Sequence, residues 1–280
     1  MRRRILLFSD VDGTLLDRSD RLAIGADEFA HVSESIELVL TSSRTLSELC
    51  ALQDRLSFRA PMIAENGALI AVDAGECGFG EGGMEGGFFH RVLGRRLRVL
   101  PLADSALHVR SRVWRIALAL DVAYDEQRDV LTRSAVAHTR ASRQALQRTH
   151  SVLIRPRAGA RERAFAALAD ALRRDGLSVS SGGGWTAVVA GSDKGAAALW
   201  LAEALQRARH CTQPVAAVGD GENDEALLSV AERAFVVRND DGTWHHALTA
   251  IPGAVRLDPP GIAGWLQAID LLARERAATC

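Results

Sequence analysis

The sequence predicts an α/β protein: a doubly wound parallel sheet interrupted by an inserted α+β module. Three observations lead there. Continuous apolar runs at 5–8, 36–40 and 214–218 read as strands buried on both faces. Stretches with helical spacing alternate with them in both flanks of the chain. Between the flanks, residues 91–183 hold 18 arginines against 8 acidic residues, although the whole 280-residue chain has a formal net charge of only −1. A basic segment inside an acidic remainder implies two modules with different tasks, the basic one suited to attracting an anionic ligand.

The elements follow in order. Residues 15–21 read as a polar loop and 26–32 as a short helix. After the strand at 36–40, residues 45–56 carry Leu46, Leu49, Leu52 and Leu56 on one helical stripe. A third strand at 61–64 ends in Glu65-Asn66-Gly67, and the apolar run 68–72 behind this Asn-Gly turn predicts a hairpin. The glycine-rich stretch 74–87 reads as a flexible connection. The parallel-sheet core is therefore expected over 1–89 and 184–280, and the insert over 90–183. Within the insert, helices are expected at 129–147 and 160–174, the latter with Phe165, Leu168 and Leu172 inward, and strands at 152–154 and 177–180. Gly182-Gly183-Gly184 is read as the return to the core. A strand at 185–190, helices at 195–209, 225–231 and 264–276, and strands at 214–218 and 234–237 complete it.

Composition narrows the class. Hydrophobic residues make up 48% of the chain, enough for a proper core. Cys50, Cys77, Cys211 and Cys280 are scattered without a C-x-x-C pair, which fits a reducing cytoplasm rather than a disulfide framework or zinc site. Arg2 to Arg4 precede only four apolar residues, too few for a signal peptide. No stretch approaches a membrane span.

The chemistry starts at the end of the first strand. Asp10 and Asp12, spaced i, i+2, lie on the same side of an extended backbone, and Gly13 allows the sharp turn that follows. Two adjacent carboxylates at the end of a buried strand repel each other, and a hard divalent cation such as Mg²⁺ resolves the conflict. Lys194 is the only lysine in the chain. It falls in the first turn of a predicted helix, where the helix dipole disfavours a cation unless an anion is bound beside it. Asp220 ends another buried strand, and Asp224 follows four residues on. Ser42 also ends a strand. In open α/β sheets ligands bind at that carboxyl edge. Acids for a metal, a hydroxyl, a cation and helix N-termini together are what phosphoryl transfer needs.

These motifs resemble the haloacid-dehalogenase (HAD) superfamily of phosphatases: D-x-D-G-T at Asp10, a serine motif at Ser42, Lys194, and G-D-G-x-N-D at Gly219. The insert lies between the second and third, as in members with a large type C2 cap. The resemblance implies a Rossmann-like core, Asp10 as nucleophile and Asp12 as general acid and base. It implies Mg²⁺ held by Asp10, the Asp12 backbone carbonyl and Asp220, with Asp224 and Asn223 in support, and phosphoryl oxygens held by Ser42 and Lys194. The segments 40–45, 63–68 and 264–265 resemble mannosyl-3-phosphoglycerate phosphatase, as does 146–155. Val152, Gly184 and Ala187 depart from that family's glutamate, arginine and histidine. Arg44, Asn66, Arg148 and Asn223 are further candidates for substrate contact. Trp185 is read as core, and Arg110, Arg112 and Arg115 as a solvated face.

The expected activity is Mg²⁺-dependent hydrolysis of a small anionic phosphorylated metabolite, with mannosyl- or glucosyl-3-phosphoglycerate the leading candidate. A phosphosugar mutase of the phosphomannomutase kind is the alternative enzyme. A non-enzymatic phosphosugar sensor or nucleic-acid binder is the third. The first half of the basic segment offers only Trp114 and Tyr124 for base stacking, so neither nucleic acid nor membrane is an expected partner. The pattern leaves the oligomeric state unspecified.

Overall fold

The computed structural model describes residues 4–17, 21–22, 29, 36–74, 84, 86–127, 148–159, 161–182, 184–209 and 215–278. The helices expected at 26–32 (Phe29 apart) and 129–147, and most of the 74–87 connection, lie outside the described residues.

In chain order the structure opens with β1 (Ile5–Ser9), β2 (Ile36–Thr41), helix α1 (Leu46–Arg55), β3 (Met62–Ala64), β4 (Leu69–Asp73), β5 (Phe88–Val92) and β6 (Arg95–Pro101). Then come α2 (Ala106–Ala119), β7 (Tyr124–Glu126), β8 (Ser151–Pro156), α3 (Glu162–Arg174), β9 (Leu177–Gly182) and β10 (Trp185–Ala190). The chain continues with α4 (Lys194–Arg209), β11 (Val215–Gly219), α5 (Glu225–Ser229), β12 (Arg233–Arg238), α6 (His246–Thr249), β13 (Val255–Pro260) and α7 (Gly261–Ala278).

Nine of the described strands form one sheet in the order β13-β12-β11-β1-β2-β3-β4-β6-β5. β1 lies between β11 and β2 and runs parallel to both, with Phe8 level with Ala217 and Val39. β4, β6 and β5 extend the sheet antiparallel. Alternate residues of the central strands feed two cores. Leu7, Leu38, Met62 and Val218 pack with α1 and α7, while Leu6, Phe8, Val39 and Ala217 pack with α4 and α5. Burial on both faces explains the unbroken apolar runs. The start of α1 is fixed by a capping box, in which the Thr45 hydroxyl accepts from the Glu48 amide and Glu48 Oε2 accepts from the Thr45 amide at 2.8 Å.

The second sheet, β7-β8-β10-β9, is antiparallel. Val152, Ile154, Val179 and Val188 from this sheet meet Val109 and Val113 of α2 and Leu168 and Leu172 of α3 in a separate apolar cluster. This sheet with its two helices is the cap over the parallel core.

Sheet membership draws the line between the modules differently from the sequence expectation of 89/90 and 183/184. β6 is hydrogen-bonded to β4 from Leu69↔Pro101 to Asp73↔Leu97, so the core sheet runs on to Pro101. β10 pairs with β8 and β9, so the cap runs on to Ala190. The onset of arginines had suggested the earlier boundary, but Arg95 and Arg98 lie on a core strand, where Arg95 pairs with Asp73. Gly182 pairs with Trp185, so β9 and β10 are neighbours inside the cap and the chain does not cross back to the core there.

Candidate active site

β1 ends at Ser9, whose hydroxyl donates to the Asp10 carbonyl and accepts from Trp265 Nε1 at 2.9 Å. The Asp10 amide donates to the Val218 carbonyl of β11. Asp10, 3% exposed, is thereby fixed at the carboxyl edge of the sheet. Gly13 has φ +83°, and a Cβ there would stand 2.4 Å from Asp220 Oδ2, so only glycine lets the first loop close on the fourth. The neighbouring Thr14 hydroxyl donates to Asp220 Oδ1 at 3.0 Å.

Lys194 opens α4 and is 1% exposed. Its Nζ donates to Asp10 Oδ1 and to Asp224 Oδ1, each at 2.6 Å. The cation misplaced against the helix dipole is thus compensated by two carboxylates. Asp193 caps the helix by accepting from the Ala196 amide. Asp224 is fully buried, and its other oxygen accepts from the amides of Asp220 and Gly221 at 3.1 Å each. It holds the Gly219–Asp224 loop in shape.

Asp10, Asp220 and Asp224 offer carboxylate oxygens that all lie within 4.8 Å of one another. Burial holds the Asp10 carboxyl well above the usual carboxylate range; Asp224 adds to this and Lys194 opposes it. Burial, then Asp224, pushes Asp220 up to about 7. Burial would lower the Lys194 ammonium, but Asp10 and Asp224 outweigh it and raise the pKa. Three acids against one ammonium leave a negative excess made of hard oxygen donors. That donor set fits a divalent cation of the Mg²⁺ type, with Asp10 and Asp220 the acids whose oxygens are least committed elsewhere.

The remaining predicted residues fall into two groups. Asp12 is held by Arg44, whose Nε donates to both of its oxygens at 3.1 Å. Ser42 is fully buried beside β1, and its hydroxyl accepts from the Arg44 amide. Asn66 has φ +58° and is 5% exposed, and its Oδ1 has no hydrogen-bond partner among the described residues. It lines a cavity of about 330 Å³ between core and cap, together with Lys194, Asn223, Glu222, Arg173 and Ser180. Arg148 instead donates to the Ser43 carbonyl at 2.6 Å and to Ser151 Oγ; burial lowers its pKa. It is a tie between cap and core.

The cap residues singled out in the sequence fall as follows. Val152 is 2% exposed and belongs to the cap's own apolar cluster, so it faces away from any ligand. Trp185 is partly exposed rather than core, with the Arg155 guanidinium 4.6 Å from its ring centre. Arg110 pairs with Glu126, and Arg112 and Arg115 with Asp175, so part of the basic excess is spent inside the cap.

Two contributors escaped the sequence reading. Thr14 stood in the D-x-D-G-T motif but was given no task. Glu65, 1% exposed, accepts four hydrogen bonds from cap residues, and a single acid before an Asn-Gly turn gives no sequence signal for that.

An acidic cluster and one buried lysine at the carboxyl edge of a doubly wound sheet, roofed by an inserted cap, define a capped α/β hydrolase. A family model of haloacid dehalogenase-like hydrolases matches residues 7–79 and 122–252, well over half of the chain. The chain belongs to that family and is an enzyme. Solved structures share the fold. A Thermoplasma acidophilum protein aligns with TM-score 0.64 at 15% identity, over 96% of this chain and 98% of that one. Sucrose-phosphatase from Synechocystis, solved with sucrose and phosphate, aligns with TM-score 0.59 at 16% identity, over 96% and 98%. The subclass IIB sugar phosphatase BT4131 gives 0.59 at 16%, over 96% and 99%. Likeness at these identities is a likeness of fold.

Proposed function

We propose that this enzyme is a Mg²⁺-dependent phosphomonoesterase of small phosphorylated metabolites that works through an aspartyl-phosphate. The observation that carries the reading is the Asp10–Lys194–Asp224 cluster beside Asp220, with Lys194 also lining the cavity under the cap. Lys194 engages Asp10 Oδ1, which leaves Oδ2 to attack phosphorus. The new Oδ2–P bond forms as the bond from phosphorus to the leaving oxygen breaks. Asp12 supplies the proton to that oxygen. Asp12 then takes a proton from water, whose oxygen attacks phosphorus and returns Asp10 and inorganic phosphate. A bound Mg²⁺, held by Asp10, the Asp12 carbonyl and Asp220 with Asp224 in support, would neutralise charge on the phosphoryl group. Lys194 and Ser42 hold phosphoryl oxygens, and Arg44, Asn66, Asn223 and Arg148 set the substrate's position, Arg148 by bracing the Ser42–Arg44 loop.

The lining of the cavity supports a substrate class. Asn66, Ser180, Glu222 and Arg173 offer polar and charged groups to hydroxyls or a second anion. A sugar phosphate or a phosphoglycerate glycoside suits that lining, with mannosyl- or glucosyl-3-phosphoglycerate first among the candidates. The scattered cysteines support a cytoplasmic enzyme. No helix among the described residues is long and apolar enough to cross a membrane.

The test is phosphate release across a panel of sugar phosphates and phosphoglycerate glycosides, with and without Mg²⁺. Release that needs Mg²⁺ and vanishes in Asp10→Asn is expected. Full activity in that variant overturns the mechanism, and conversion to an isomer without free phosphate overturns hydrolysis.

A further inference from the structure

The turn Glu65-Asn66-Gly67 has positive φ at three successive residues, 53°, 58° and 93°. Two of these are not glycine, and such a backbone persists only when its surroundings over-determine it. The surroundings are four separate segments. The Glu65 amide donates to the Arg44 carbonyl and the Asn66 amide to the Ser42 carbonyl. The Gly67 carbonyl accepts from the Ser192 hydroxyl, and a Cβ on Gly67 would stand 2.0 Å from the Asp193 carbonyl oxygen. The Ala68 carbonyl accepts from the Leu102 amide, on the strand of chain that leaves for the cap. The fourth segment is inside the cap. Glu65 Oε1 accepts from the Thr149 amide at 2.9 Å and from its hydroxyl, and Oε2 accepts from the His150 amide at 3.0 Å and the Ser151 hydroxyl at 2.8 Å.

Residues 149–151 belong to neither of the two stretches that join cap to core, Leu102–Ser105 and Gly191–Asp193. Two covalent connections alone leave a module free to swing about the line between them. A third point of attachment removes that freedom. Arg148, which reaches the Ser43 carbonyl, and Arg173, which pairs with Glu222, contribute to it; the most deeply buried contributor is the Glu65 carboxylate, whose backbone is bonded to the loop that carries Ser42 and packed on the start of the helix that carries Lys194.

We propose that Glu65 is a positioning residue that locks the cap over the active site, tying cap placement to the Ser42 loop and the Lys194 helix through one turn. Its effect on catalysis rests on the phosphatase reading; its effect on the cap does not. Replacing the carboxylate by an amide turns one acceptor oxygen into a donor that faces donors, so Glu65→Gln loses the bonds on one side of the group.

The experiment is hydrogen–deuterium exchange on the full chain, wild type against Glu65→Gln. The amides of Thr149 and His150 should exchange faster by about tenfold or more, because both are bonded to this carboxylate, while β9 and β10 keep their protection. In parallel, KM for the best sugar phosphate should rise by about tenfold, and kcat for p-nitrophenyl phosphate, too small to need the cap, should stay within about twofold. Ser151→Ala removes one donor without touching the strained turn and should shift both readouts in the same direction by less, which keeps the test decisive if Glu65→Gln does not fold. Unchanged exchange at 149–150, or an equal rise over the whole molecule, overturns the proposal. A wild type without phosphatase activity overturns the functional reading instead, and the exchange result still decides the role of Glu65.

Discussion

The two sheets of this enzyme handle charge in opposite ways. At the edge of the parallel sheet, Asp10, Asp224 and Lys194 are packed where water is excluded, 3%, 0% and 1% exposed, with the half-buried Asp220 beside them. In the cap, arginines meet acids near the surface: the side chains of Arg112 and Asp175 are 22% and 32% exposed. The buried cluster is held by backbone amides, a capped helix and two glycines that nothing larger can replace. The cap pairs are held by little besides themselves. A group of charges that costs this much to bury is kept because something must be bound there, whereas solvated pairs can drift without consequence. On the proposed function, the difference separates the part of the chain that would set the reaction from the part that would set the ligand.

The contrast breaks first, if it breaks, at Asp10. With Asp10 as the proposed nucleophile, Asp10→Asn should lower phosphate release by at least about a thousandfold with the fold intact by circular dichroism, since that loss would not be made good by the rest of the site. Lys194→Met comes next. It leaves Asp10 and Asp224 buried without a cation, which costs about 3–5 kcal/mol. Urea unfolding should show that loss, and added Mg²⁺ should recover part of it, because a cation that binds only the folded state stabilises it. An unchanged unfolding midpoint would mean the cluster is more hydrated than its exposure indicates.

Val152→Glu sharpens the comparison inside the cap. The glutamate of the mannosyl-3-phosphoglycerate pattern would enter an apolar cluster formed with Val109, Leu168 and Val188. It should destabilise the protein by about 2–4 kcal/mol rather than improve any substrate. Its folded pKa would be raised above the unfolded value of about 4.3, so the folded state would hold the extra proton. Stability of the variant should therefore fall as pH rises from 5 to 8, the reverse of a paired surface acid. Urea midpoints at the two pH values check the sign.

These regions also differ in how much of them the sequence disclosed. β1, β2, α1 and the hairpin at Asn66-Gly67 were legible because burial on both faces writes an apolar run, a helix buried on one face writes the stripe Leu46, Leu49, Leu52 and Leu56, and a left-handed turn writes Asn-Gly. Asp10, Lys194, Asp220 and Asp224 were legible because acids at strand ends and a lone lysine at a helix start conflict with local physics unless they meet. β5 and β6 were lost because Phe88, Phe89 and the four arginines from Arg91 to Arg98 look like the surface of another module; only the pairing of β6 with β4, and of β5 with β6, makes them part of the core sheet. α2 has Val109, Val113 and Ala117 at helical spacing behind a Ser105 cap, but its exposed Leu107, Trp114 and Leu118 blur that stripe. β13 ends in two prolines, which argue against a strand unless, as here, it is the sheet edge. Glu65 was invisible because its partners lie more than eighty residues away.

The smallest effect tests the other half of the comparison. Arg112 donates to Asp175 at 2.8 Å, and Asp175 sits just past the end of α3, where Gly176 at φ +79° turns the chain into β9. The pair ties α2 to that turn, but it is open to water and shared with Arg115. Arg112→Ala should therefore cost no more than about 1 kcal/mol, and less as salt is raised. Asp175 would keep Arg115, so no acid is stranded. Phosphate release should stay within about twofold of wild type, because the change reaches neither the turn at Glu65 nor the cavity. A stability loss matching that of Lys194→Met, or a comparable loss of activity, would show that the cap's ion pairs are as deeply committed as those of the core.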